Sequence, residues 1–390
     1  MRRFQQMILA TGVLALLAAV PAMAQETLKI GVLTTLSGAG AVWGQAMLHA
    51  AELAADDVNS AGGLQVADKR YKVVLIPYDD KYLPNEAVTA ANRLVFEDHV
   101  KYMVGPMPSA SVVAVLPLTE KNKVLTINQG FTPKALGPEK PFTFRPVLTT
   151  VEFSQPQIDW IVKMKGVKKV GGLFPNDETG QQIAHDVDVA YTKAGARLTS
   201  KEFFERERVD FVPLLTRILA SGVDAIELDG NAPTTAGLIV KQAREVGYTG
   251  LIVRTGGPAT QEIVAVAGKE AAEGVYVHTP IDPMLPSLAK HIERYTKKYN
   301  EPMNGFSPFW YDGVHMLFEA MQKAGTVTDT DKVRVAYEQI PSYTGVLGRL
   351  TWTGKEVYGI NHQISAPFYV GQIKGGVEVI MARCTVVSCN

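Results

Sequence analysis

Past residue 26 the chain alternates short apolar runs with amphipathic stretches. Residues 29–34 make a compact apolar run of strand type, and residues 45–59 carry Met47, Ala50, Ala54 and Val58 on one helical face. The paired glycines of "NSAGGL" (59–64) stop that helix. Strands are then expected at 71–78, 102–105 and 124–128, with helices at 85–97 and 111–121 between them. Strands alternating with helices build a parallel sheet covered on both faces.

The alternation then starts afresh. "KKVGGLF" (168–174) predicts a strand, 181–194 a helix and 197–204 a strand. Helix, strand, helix, strand follow at 211–220, 224–228, 235–246 and 250–253. A second series of this length implies a second sheet with its own core. "PFTFRPVLTT" (141–150) and "TPIDPMLP" (279–286) break the periodicity with prolines and polar residues, as segments crossing between domains would. Two helical stretches, 287–299 and 307–323, precede the strand-like "GRLTW", "APFYVGQI" and "VEVIMA". The expected fold class is α/β, with two Rossmann-like lobes around parallel sheets. Several crossings make a hinge rather than a tether.

The first 24 residues stand apart. Arg2 and Arg3 precede an apolar stretch from Met7 to Val20, and Ala22-Met23-Ala24 supplies small residues ahead of Gln25. That is a secretory signal peptide cleaved after Ala24, too short to span a bilayer, which takes about 20 apolar residues. An exported, soluble chain is expected. The rest of the 390 residues exceeds one ordinary core, which also argues for two domains. With 39 basic and 39 acidic residues there is no basic face for nucleic acid. The only cysteines, Cys384 and Cys389, close a small disulfide loop or belong to a flexible tail, and without nearby histidines they do not make a zinc site.

"SGAGAVWG" (37–44) raises the question of a nucleotide, because a glycine turn between strand and helix often holds phosphate. Its glycines are Gly38, Gly40 and Gly44, so the third falls one place late. The acid expected at the end of the second strand would be Asp79 or Asp80, about 40 residues past Gly38 where the fingerprint wants about 20. A tight turn needing small residues is the simpler account, and capping explains the two aspartates. P-loop, G-x-S-x-G and H-E-x-x-H patterns are absent, and nothing pairs a nucleophile with a base.

The stretch "IGVLTTLSGAGAVWGQAMLHAAELAADDVNSAGGL" resembles the opening of periplasmic solute-binding proteins of the branched-chain amino-acid type, the type I fold used by ABC importers. "YDD" (78–80), "AVTAANRLV" (87–95), "VGPMPSAS" (104–111), "TPKAL" (132–136), "FTFRPV" (142–147), "AGKEAAEGVYV" (267–277) and "LTWTGKE" (350–356) follow in order. The resemblance implies two lobes joined by three crossings, at 141–150, 279–286 and about 343–349. Lobe one would hold 27–148 and 283–345, lobe two 149–282 and 346–383, with a tail at 384–390. It further implies ABC permease subunits as membrane partner, a monomer, no cofactor or metal, and a periplasmic location. A sensor relative or a periplasmic enzyme would share the fold; the leader without a membrane helix argues against the first, the missing nucleophile–base pair against the second.

Carried over position by position, the resemblance places a ligand carboxylate on Ser109-Ala110-Ser111 and Gly130-Phe131-Thr132, with Trp43 against the ligand body. Hydroxyls and amides at helix N-termini favour a negative group. Lobe two departs from the family pattern. Thr179 and Asn231 fall at two tyrosine positions, and Gly256 stands where a glutamate would neutralise an ammonium. Asp229 or Glu227 is left as a substitute, and Phe306 as a further cleft position. Arg254 either meets a second acidic group or sits at the surface on a strand end. These departures predict a carboxylate ligand without an α-ammonium, such as an aromatic acid between Trp43 and Phe131. An amino-acid ligand is the alternative.

Overall fold

The computed structural model describes residues 25–390, so the predicted leader at 1–24 lies outside the described residues. The chain first builds β1 (Glu26–Thr34), α1 (Ala41–Ser60), the hairpin β2 (Leu64–Val66) and β3 (Lys69–Asp79), and α2 (Pro84–Asn92). β4 (Tyr102–Val104), α3 (Ser109–Lys121), β5 (Leu125–Ile127) and β6 (Thr143–Phe144) complete a six-stranded sheet in the order β2-β3-β1-β4-β5-β6. All its pairings are parallel except the β2–β3 hairpin. β1 lies central and its last five residues are all buried, as a strand covered on both faces requires.

The second lobe runs α4 (Thr150–Lys165), β7 (Lys169–Pro175), α5 (Glu178–Lys193), β8 (Arg197–Phe204), α6 (Val212–Ala220), β9 (Ala225–Glu227), α7 (Pro233–Glu245), β10 (Leu251–Arg254), α8 (Thr260–Ala267) and β11 (Tyr276–Thr279). The chain then returns to the first lobe with α9 (Pro286–Tyr299), α10 (Ser307–Ala324) and α11 (Thr330–Glu338). Ala50, Ala51, Ala54 and Ala55 are buried on α1, where small side chains let α10 approach closely. A small antiparallel sheet, β12 (Tyr343–Gly345), β13 (Gly348–Thr353) and β14 (Gln363–Ser365), precedes β15 (Phe368–Lys374) and β16 (Val377–Cys384). The last two strands finish the seven-stranded sheet β16-β15-β11-β10-β9-β7-β8.

Residues 145–149 and 280–285 are the irregular segments between the two larger sheets and the helices that follow them. After the separate sheet β12–β14 the chain enters the seven-stranded sheet at 366–367. Asp312 of α10 accepts from the backbone N–H groups of Val346 and Leu347, both at 3.0 Å. Trp352 Nε1 donates to the Tyr337 carbonyl of α11 at 2.9 Å. These contacts attach residues 346–352 to α10 and α11, while the Tyr358 hydroxyl donates to Glu152 of α4 at 2.6 Å. The expected tail folds back as well: Cys384 and Cys389 form a disulfide, and Arg383 and Asn390 exchange two backbone hydrogen bonds of 2.9 Å. Helices α4 and α11 and the short strands β2 and β6 add to the expected elements; α4 buries Phe153, Ile158, Ile161 and Val162, and α11 buries Val333 and Tyr337. No helix among the described residues is long and apolar enough to cross a membrane.

Candidate functional site

The loops at the C-terminal ends of the central strands of both sheets meet between the lobes, where open parallel sheets place their ligands. The β1–α1 turn is fixed from β3. Asp79 accepts from Leu36 N (2.8 Å) and Ser37 Oγ (2.6 Å), and Asp80 accepts from Thr35 Oγ1 (2.6 Å). The aspartates thus hold the turn as caps do. Gly44 serves close packing: a Cβ there would lie 1.7 Å from the Thr35 carbonyl oxygen. With that approach allowed, α1 starts against the strand end and delivers Trp43 to the cleft.

Ser109 opens α3 and is fully buried. Its Oγ accepts from the backbone N–H groups of Phe131 (3.0 Å) and Thr132 (3.3 Å) in the loop after β5. Two amides and a hydroxyl therefore converge beside a helix N-terminus, as an anion site needs. The Ser109 N–H crosses the cleft to Thr179 Oγ1 at 3.2 Å. Thr132 Oγ1 donates to Glu178 at 3.5 Å, Lys134 pairs with Glu178 at 2.9 Å, and the Arg206 guanidinium lies 4.2 Å from the Tyr82 ring centroid. The lobes are closed on one another through these four contacts.

Between them lies a cavity of about 40 Å³. Lobe one lines it with Trp43, Tyr82, Met107, Gln129, Phe131 and Phe306, and lobe two with Thr179, Ile183, Asp229, Gly230, Arg254, Gly256 and Gly257. Four buried polar atoms of this wall have no partner among the described residues: the donors Trp43 Nε1 and Arg254 Nε, and the acceptors Gln129 Oε1 and Asp229 Oδ2. Buried groups of this kind are nearly always paired, so four on residues of one wall point to a polar ligand there.

The two substitute acids part company here. Glu227 is saturated, accepting from Leu228 N, Asp229 N and Thr255 N at 3.0, 2.9 and 3.1 Å and from the Tyr191 hydroxyl at 2.8 Å. Burial, with repulsion from Asp229, pushes its carboxyl up to about 7. It is not part of the cavity wall. Asp229 is, and only its Oδ1 is engaged, by Gly230 N at 2.6 Å. Burial pushes Asp229 up to about 6, with Arg254 pulling the other way. Gly256 explains how the acid fits: a Cβ at that position would lie 2.6 Å from both Asp229 carboxylate oxygens and 2.8 Å from Phe153 Cζ.

Of the sequence candidates, Trp43, Phe131, Phe306, Thr179, Asp229, Arg254 and Gly256 line the cavity, and Ser109 and Thr132 stand directly behind it through their hydrogen bonds. Gly130 contributes backbone, its N–H held by Asn128 Oδ1 at 2.9 Å. Ala110 and Ser111 are not in the wall; Ser111 lies beside Asp80. Asn231 turns inward, its amide donating to the Leu173 and Leu228 carbonyls at 2.8 Å, and its own carbonyl accepts from Arg254 Nη2 at 2.7 Å. Arg254 is not a surface residue: it is 1% exposed, and its Nη1 donates to the Gly256 and Gly257 carbonyls. Phe131 spans the cleft to Phe153, with ring centroids 6.1 Å apart. Tyr82, Met107, Gln129, Ile183, Gly230 and Gly257 were not anticipated, though Met107 lies within "VGPMPSAS" and Tyr82 two residues past "YDD".

The sequence matches the profile of a family described as periplasmic binding protein over residues 27–377. An amino acid binding protein of Pseudomonas aeruginosa is 30% identical over 329 residues, which is 84% of this chain and 86% of that one. The fold resembles a leucine binding protein from Thermotoga maritima, with a TM-score of 0.81 at 23% identity, covering 92% of this chain and 99% of that one. It also resembles an ABC transporter solute binding protein from R. palustris solved with benzoate, with a TM-score of 0.80 at 17% identity, covering 93% and 97%.

Proposed function

This chain belongs to the periplasmic binding protein family, solute-binding components of ABC transporters, and from that premise we propose that it captures an α-amino acid with an apolar side chain. Exported by its leader, it acts as a monomer in the periplasm and hands the ligand to importer subunits in the membrane. The observation that carries the reading is the buried Asp229 carboxylate, a residue of the cavity wall with one oxygen unpaired. An ammonium enclosed between closed lobes needs such a partner. The premise for an ammonium-free ligand was the missing acid at Gly256, and Asp229 supplies that acid from the neighbouring loop. The amides of Phe131 and Thr132 take the carboxylate, displacing Ser109 Oγ as their acceptor. Trp43, Phe131 and Phe306 surround the side chain.

The cycle needs no covalent step. A space of about 40 Å³ holds no more than a few waters, so the lobes must part to admit a solute. The ligand then favours the closed form by adding contacts to both lobes at once. A flat aromatic acid is the second reading, supported by the three aromatic residues of the wall and by the benzoate bound in the R. palustris relative.

Calorimetric titration of refolded, ligand-stripped protein with leucine, phenylalanine and benzoate separates the two. Removing one member of a buried charge pair costs about 2–5 kcal/mol, so Asp229→Asn should weaken amino-acid binding at least about thirtyfold and leave benzoate unharmed. Tight benzoate binding with silence from the amino acids overturns the first reading.

A further inference from the structure

Arg145, in the "FTFRPV" segment, is fully buried and forms no ion pair with an acid among the described residues. It sits in the irregular segment 145–149. Its backbone N–H donates to the His362 carbonyl at 2.8 Å, and its own carbonyl accepts from Ile364 N at 3.0 Å, just ahead of residues 366–367. Its Nε donates to Gln363 Oε1 at 2.5 Å, and Gln363 in turn donates to the Val147 carbonyl at 2.8 Å. The other end of the guanidinium reaches the ligand loop: Nη1 donates to the Gly130 carbonyl at 2.5 Å and the Thr132 carbonyl at 3.3 Å.

The Gly130–Phe131 peptide is therefore gripped at both ends. In a trans peptide the carbonyl and the N–H point in opposite directions. The guanidinium holds the carbonyl, and the N–H faces Ser109 Oγ, where a ligand carboxylate would sit. A cation at the oxygen end polarises the unit and makes its N–H a stronger donor. A buried charge without a counter-ion is also costly, and an arriving carboxylate answers it.

We propose that Arg145 is the positioning residue for the ligand carboxylate, charging the Gly130–Phe131 peptide from behind and tying that loop to the hinge. The proposal rests on the carboxylate binding at the Phe131 and Thr132 amides. Arg145 does not touch the ligand, and its signature is a preference for the charged form of the carboxyl group.

The test compares L-leucine with L-leucinamide, and L-phenylalanine with its amide, by calorimetry on wild type, Arg145→Lys and Arg145→Met. A unit charge one peptide away in a buried site is worth about tenfold in affinity or more. Arg145→Met should lower acid affinity by at least that factor and amide affinity by less than about threefold. Arg145→Lys should keep most of the preference. If the methionine variant does not fold, Arg145→Gln drops the charge while keeping a donor, and the same ratio is read from it. Equal losses for acid and amide in a folded variant overturn the proposal alone. A wild type that binds neither acid overturns the underlying reading of the site, and this inference with it.

Discussion

Gly256→Ala tests the site's geometry through a single methyl group. Gly256 is not in the left-handed region, so the backbone accepts alanine and any effect comes from the added carbon. That carbon would stand 2.6 Å from both Asp229 oxygens and 2.8 Å from Phe153 Cζ, about 1 Å inside ordinary contact distance. Overpacking of this size costs about 1–3 kcal/mol, or a few degrees of melting temperature. The functional cost is larger, because the group that must yield is the short Asp229 side chain. Displacing it from an ammonium should weaken amino-acid binding about thirtyfold or more. In an Asp229→Ala background the two nearest atoms are gone and the closest contact left among those three is Phe153 Cζ, so the methyl's further effect on affinity should shrink to about threefold or less. Four proteins, titrated with leucine and phenylalanine and melted without ligand, complete the cycle. Binding by Gly256→Ala within threefold of wild type, or an equal penalty in both backgrounds, refutes the idea that Gly256 makes room for the acid.

The pH response follows from the same carboxyl. Only ionised Asp229 accepts an ammonium, so amino-acid affinity should fall about tenfold per unit below pH 6 and level off above 7. Titrations from pH 5 to 8 read this slope, and Asp229→Asn should flatten it. Stability carries the opposite sign: Asp229, Glu227 and Asp312 are raised to about 6, 7 and 6, so the stability they contribute is lost as pH rises through those values. Burial depresses His278, His291 and His362 to about 3, 4 and 4, and their contribution is lost as pH falls below 6.5. The two sets oppose each other over the same window, so the ligand-free melting temperature should change little between pH 5 and 6, and a fall of many degrees from pH 6 to 5 contradicts this assignment. Replacing Cys384 and Cys389 together with serine opens a loop of five residues' separation, worth about 2 kcal/mol. Melting should drop by a few degrees while leucine affinity stays within twofold.

The two alternating series of strands and helices were legible because most of these elements carry their own period, and ligand loops lie at strand ends by rule. Ser109, Phe131, Thr132 and Thr179 lie in such loops, but it is the family resemblance that singles them out there. The placing of 346–352 was not legible: it depends on Asp312, more than thirty residues earlier in the chain, and on the Tyr337 carbonyl. Arg254 reads as a strand-end cation, and only the carbonyls of Asn231, Gly256 and Gly257 gathered around it make burial tolerable. The acid is the sharpest case. A glycine where the family carries glutamate reads, position by position, as a lost function. The loops after β9 and β10 nevertheless pack side by side, so a carboxylate on one can occupy the volume vacated on the other. The missing Cβ is then a condition for keeping the charge, and Asp229 and Gly256 have to be read as a pair.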